Sequence, residues 1–240
     1  MPAEVDDIRA ELDSAGPMPP ASADRGDKKN YAESLSRALA QKVANSLRKT
    51  FDPVLPDEDG AGHESAALGA RGPKKLDVNY STPQLGLGLG ISIKTINYPD
   101  GASGRFTKNY SRVDNELRAE ALDYHRRQPF AILVGILFLP VAACSDSRQR
   151  TPSSFGTAVE YFRARSGRLN PKNEEEKFEL FYVALYEPGE PARGKVGFFD
   201  VRTAPPRAGR PSNLMTYTQV IEAIKMAFRD RNAPEFKWAD

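Results

Sequence analysis

Residues 129–139, PFAILVGILFL, form the stretch that most restricts the fold, because none of their side chains is polar or charged. A strand with one wet face alternates polar and apolar residues. A run without alternation needs cover on both faces. Counted from Phe130 to Val141 the run has twelve residues, too few to cross a bilayer as a helix, which takes about 20. It is therefore expected to be the central strand of a sheet with helices on both sides, in an α/β domain.

The flanking pattern supplies those layers. Asn30–Lys49 carries Tyr31, Leu35, Leu39, Val43 and Leu47 at every fourth position, an amphipathic helix. Lys74–Tyr80 and Leu85–Ile96 read as strands. Gly86, Gly88 and Gly90 fall on one face of the second and permit close approach there. Ser111–Arg127 reads as a helix with Ser111 at its N-cap, Asp114 in its first turn and Val113, Leu117, Ala121 and Tyr124 inward. Ser153–Arg165 is a further helix, and Lys177–Glu187 and Lys195–Val201 pair as a hairpin. Thr216–Arg231 closes the chain as a helix, with Thr216 and Gln219 spaced as a capping box. Residues 1–29, rich in Pro, Ala, Ser and Asp, are expected to be a disordered tail with a short helix near Val5–Leu12. Residues 30–240 are expected to be a single domain with a mobile acidic loop at 52–73.

Charge excludes less than pattern does. The formal net charge is only +2 over 240 residues, so nucleic acid is not indicated by charge alone. The single cysteine, Cys144, excludes an intrachain disulfide and fits a reducing cytoplasm. No apolar N-terminal run marks a leader, and no membrane partner is expected. Two histidines and one thiol argue against a Cys/His zinc site. His63, in the acidic loop, reads as solvated. His125 reads as a cation favourable at a helix C-terminus. The glycine run precedes no helix and no Gly-Lys-Ser/Thr, so it is not a nucleotide loop.

Asp77 and Lys94 carry the chemistry. They lie on neighbouring strands, and alternation puts Ser92 and Lys94 on one face with the Ile93 main chain in the edge plane. A carboxylate can hold a divalent cation, and a nearby lysine can activate water or neutralise phosphate. The segment GRFTKNYSR follows, in which Arg105, Lys108, Asn109, Tyr110 and Arg112 form a candidate nucleic-acid-binding loop, bases for phosphates and aromatics for stacking.

Asp77, the Ser92-Ile93-Lys94 triplet, the helix 111–127 and the strand 129–139 together resemble the PD-(D/E)xK nuclease superfamily. The resemblance implies a restriction-endonuclease-like core, a mixed central sheet flanked by helices. It implies Mg2+-dependent hydrolysis of DNA phosphodiesters, with Mn2+ able to substitute. Asp77 and the Ile93 carbonyl would be metal ligands and Lys94 the water-activating base or electrostatic stabiliser. Ser92 departs from the pattern, because an acid usually stands there. Some members with Ser-x-Lys take the missing carboxylate from the following helix, where this chain offers Glu116 and Glu120, with Glu116 preferred. Glu33 would be an outer ligand. The expectation is a cytoplasmic endonuclease, of bacterial or phage defence type, acting as a homodimer or within a larger complex. The alternative is an inactive nuclease-like subunit that binds DNA or serves in assembly.

Overall fold

The structure is a computed structural model and describes residues 7–63, 65–70, 72–84 and 86–232. The elements are α1 (Arg9–Ser14), α2 (Arg25–Leu47), β1 (Val54–Leu55), β2 (Ser65–Gly69), β3 (Gly72–Leu76), β4 (Val78–Thr82), β5 (Gly86–Thr95), α3 (Tyr110–Arg127), β6 (Ile132–Pro140), α4 (Ser154–Arg163), β7 (Leu180–Tyr186), β8 (Val196–Asp200) and α5 (Tyr217–Asn232). A 3₁₀ turn at Phe106–Asn109 leads into α3.

The fold is α/β, built on a mixed six-stranded sheet ordered β1-β4-β5-β6-β7-β8, with β2 and β3 as a separate hairpin. β1, β4 and β5 form an antiparallel meander. β5, β6 and β7 run parallel, joined through α3 and α4, and β8 returns antiparallel. Every residue of β6 is buried, as its composition requires. Ile132, Val134, Ile136 and Phe138 point into the core under α1, α2 and α5. Leu133, Leu137 and Leu139 point into the core under α3 and α4.

Close packing makes one position on β6 intolerant of growth. A Cβ at Gly135 would stand 2.4 Å from the Phe181 ring. Phe181 is itself stacked on Phe162 with centroids 5.1 Å apart, so it has little room to withdraw. Gly135→Ala is expected to destabilise the fold by about 1–3 kcal/mol, measured by urea unfolding. Gly90 is similarly occupied, with Leu76 and Leu133 side chains 2.8 and 2.9 Å from where a Cβ would sit. The close approach anticipated at the glycines is thus made there by core side chains.

Several boundaries differ from the sequence expectation. The tail is folded from Asp7 onward. Ile8 and Leu12 are buried, and the Ile8 N–H donates to the Gly194 carbonyl at 2.8 Å. One turn of helix with two apolar residues four apart was enough to dock, despite the polar composition around it. α2 starts at Arg25 because Asp24 caps it, accepting from the Asp27 N–H at 2.8 Å. Val5 lies outside the described residues. The expected loop at 52–73 contains β1 and most of the hairpin. The expected strand 74–80 is two strands, broken at Asp77. α3 opens from the 3₁₀ turn at Asn109 without a side-chain cap, so Ser111 does not cap it. Asp114 instead pairs with Arg165 at 2.7 Å. The capping box on α5 is formed: the Gln219 N–H donates to Thr216 Oγ1 at 3.2 Å, and the Thr216 N–H to Gln219 Oε1 at 2.8 Å.

Candidate active site

β4 begins at Val78, opposite Ile91, so the last residues of β5 extend beyond their antiparallel neighbour. At that open edge the Asp77 Oδ2 accepts the Ile93 N–H at 2.6 Å. The side chain takes the bond that a continuing β4 would have made, which is why the strand breaks at this residue. In a strand the N–H and C=O of one residue face the same side. The Ile93 carbonyl therefore faces the same edge as Asp77.

Beyond that edge lies a cleft of about 500 Å³ between α2 and α3. Asp77, Ile93 and Lys94 line it from the sheet, Lys29, Glu33, Ser36 and Arg37 from α2, and Arg112 and Glu116 from α3, with His63 at one side. Lys94 Nζ stands 4.0 Å from Glu116 Oε2. Arg112 donates to Glu116 Oε1 at 2.5 Å. Lys29 and Glu33 pair at 3.4 Å across one turn of α2. The Lys94 and Glu116 side chains are 30% and 42% exposed, so their pairing contributes roughly 0–1 kcal/mol of stability.

Asp77, Ile93, Lys94, Glu116 and the outer residue Glu33 thus share one cleft. Ser92 and Glu120 do not line it. Ser92 is buried, and its hydroxyl has no hydrogen-bond partner among the described residues. It sits one alternate position deeper along β5 than Lys94, whose longer side chain reaches the cleft. Glu120 lies one helical turn past Glu116, where its charge helps to raise the Tyr124 hydroxyl, after the larger effect of burial.

The candidate nucleic-acid loop is mostly structural. Arg105 donates to the Pro152 carbonyl at 2.7 Å, and its guanidinium lies 4.0 Å from Asp146. Asp146 also accepts the Ser154 N–H at 2.6 Å and the Ser154 hydroxyl. Lys108 pairs with Asp100 at 2.7 Å. Tyr110 is a core residue whose hydroxyl donates to the Ser154 carbonyl at 3.0 Å. Burial pushes that hydroxyl well above the usual phenol range and leaves no ring face for a base. Asn109 is exposed away from the cleft residues, and of the five only Arg112 lines the cleft.

Sequence reasoning missed Lys29, Ser36, Arg37 and His63 as cleft residues. Lys29, Glu33 and Arg37 recur every fourth residue, a polar stripe beside the apolar one on α2. That periodicity was the available signal. It also missed a buried ionic cluster around Glu179. His125, read from the sequence as a cation at the end of the helix, is buried in that cluster: it is 1% exposed, with Nδ1 3.0 Å from the Glu175 carbonyl and Nε2 3.4 Å from Glu179 Oε2.

Among the described residues no three Asp, Glu, His or Cys side chains converge as a metal cage. The donor chemistry still fits magnesium. Mg2+ is usually held through one or two carboxylates together with substrate phosphate and waters. Asp77, Glu116 and the Ile93 carbonyl are hard oxygen donors on one cleft. No protein-family model, curated protein or solved structure matches the chain. No described helix is long and apolar enough to cross a membrane.

Proposed function

We propose that this cleft hydrolyses nucleic-acid phosphodiesters with a divalent cation, as a restriction-endonuclease-like nuclease. The observation that carries the reading is convergence. β5, the residue before β4, and α3 bring Asp77, the Ile93 main chain, Lys94 and Glu116 to one cleft. The order of a helix, an antiparallel meander, a crossover helix and a parallel strand also supports a core of that type.

Asp77 and Glu116, with the Ile93 carbonyl, would hold magnesium. Bound there, the ion would polarise the phosphate and lower the pKa of a bound water. Asp77 is oriented by the Ile93 N–H, and Glu116 by Arg112. Lys94 sets a positive charge beside Glu116, where it can stabilise the charge that builds on phosphorus-bound oxygens. Water adds to phosphorus, one P–O ester bond breaks, and the leaving oxygen takes a proton. The expected result is cleavage of labelled oligonucleotides in Mg2+ or Mn2+ that stops with chelator and is lost in Asp77→Ala and Lys94→Ala. Undiminished cleavage by both variants would sink the assignment.

One observation favours a second reading, a nuclease-shaped binder. The position where an acid usually stands is Ser92, and it is buried out of the cleft. That reading expects DNA binding with no cleavage in either metal.

A further inference from the structure

We propose that the ligand of this cleft is a short single strand of nucleic acid, and that Arg37 seats the phosphate next to the one attacked. The proposal rests on the phosphodiester reading above but not on catalysis. Among the described residues Arg37 is the one cation lining the cleft with no acidic or hydrogen-bonding partner; Lys29 is held by Glu33, and Lys94 and Arg112 by Glu116. An exposed guanidinium without a partner keeps its full fork of donors for a phosphate.

Arg37 also stands where the path continues. With His63 it lines both this cleft and an adjoining one of about 360 Å³, which Ser34 and Gln41 help to line. A ligand reaching from Lys94 past Arg37 therefore has room beyond it, as a chain of phosphates needs and a single nucleotide does not. From Lys29 to Arg37 the α2 wall spans eight residues, about 12 Å. The adjoining cleft also carries Glu58 and Asp59, whose charge repels phosphate and limits how far the path can run. The volumes are of pocket scale. Cations stand on both helical walls of the main cleft, Lys29 and Arg37 on α2 and Arg112 on α3, so a single backbone lying between them is flanked by positive charge on both sides. Cationic grooves that track one backbone are the usual means of holding single strands.

The test measures binding, with chelator present so that nothing is cleaved. Fluorescence anisotropy is followed for a labelled ten-nucleotide single-stranded DNA, its RNA counterpart and the matching duplexes, across a salt series. The wild-type chain is expected to bind a single strand at least about tenfold tighter than its duplex, and the two single-strand arms decide between DNA and RNA. Arg37→Ala is expected to weaken single-strand binding about tenfold and to reduce the slope of log K against log salt by about 0.7, the loss of one phosphate contact. Arg37→Lys should keep the slope, because the charge remains. Equal affinity for strand and duplex, or an unchanged slope in Arg37→Ala, overturns the proposal. Arg37 is exposed, so unfolding curves of the variants should overlay the wild type and confirm that binding alone was changed. Arg37-dependent binding without cleavage would remove the nuclease reading and leave this one standing. Cleavage with Arg37-independent binding would do the reverse.

Discussion

Glu179→Ala is expected to destabilise the protein by about 3–5 kcal/mol, the typical cost of removing one partner from a buried ion cluster. The Glu179 side chain is 4% exposed, and Arg168 beside it is fully buried. Oε1 accepts from Arg168 Nη1 at 2.8 Å and from Arg231 Nη1 at 3.2 Å. Oε2 accepts the Leu133 N–H at 2.8 Å. Arg168 spends its other donors on the carbonyls of Pro129, Pro171 and Asn173. The cluster thereby ties the connection after α4 and the end of α5 to the start of β6. Without the carboxylate, a buried guanidinium keeps its desolvation cost and loses its countercharge. Glu179→Gln preserves shape and should lose less.

The same group sets an acid limit. Burial alone would raise the Glu179 carboxyl, but His125, the Leu133 N–H and Arg168 together hold it below the usual range. A carboxyl lowered by folding contributes its full stability above its unfolded pKa, about 4.3. That contribution is lost as the pH falls through the lower folded value. Urea unfolding measured from neutral pH downward should therefore show a steeper loss below the unfolded pKa in the wild type than in Glu179→Gln. Parallel curves would mean that Glu179 is not the group responsible.

That cluster shows where sequence reading stops. Arg168 and Glu179 lie within GRLNPKNEEEKFE, a run whose charges look alike in one dimension. Only the turn of the chain selects two of them for burial. The central strand was legible because an unalternated apolar run too short to span a bilayer must be covered on both faces. α5 was legible because Thr216 and Gln219 have a local hydrogen-bonding reason for their spacing. The break at Asp77 was not, since both sides carry strand pattern and the cause is a bond from Ile93, sixteen residues away. Arg105 and Tyr110 misled for a related reason. Bases interleaved with aromatics describe a binding loop and a packed turn equally well, and the partners Pro152 and Ser154 come from beyond β6. Asp77 and Lys94 were singled out by their places on neighbouring strands, and Glu116 by the resemblance, which sent the search for a carboxylate to the following helix; the structure puts all three on one cleft. The opposite wall was not, because how α2 crosses the sheet decides which of its polar residues meet the cleft.

Glu116→Gln is expected to slow cleavage by about 10²- to 10³-fold, the usual effect of losing one preorganised charge at a reacting centre. Glu120→Gln should stay within a few-fold of wild type, because Glu120 does not line the cleft. Exposed Glu33 is paired with Lys29, and its substitution should fall between them. Direction separates a lost metal ligand from damaged binding. Glu116 neutralises Lys94 and Arg112, so its loss frees two cations toward phosphate. Strand affinity in chelator should therefore hold or rise in Glu116→Gln while the single-turnover rate falls. The Mg2+ concentration for half-maximal rate should also climb. In Lys94→Ala the rate should fall with that midpoint unmoved, because a lysine acts on charge and water rather than as a ligand to the ion. Equal losses in Glu116→Gln and Glu120→Gln would contradict the geometry, since only one of the two carboxylates faces the edge where Asp77 and the Ile93 carbonyl stand.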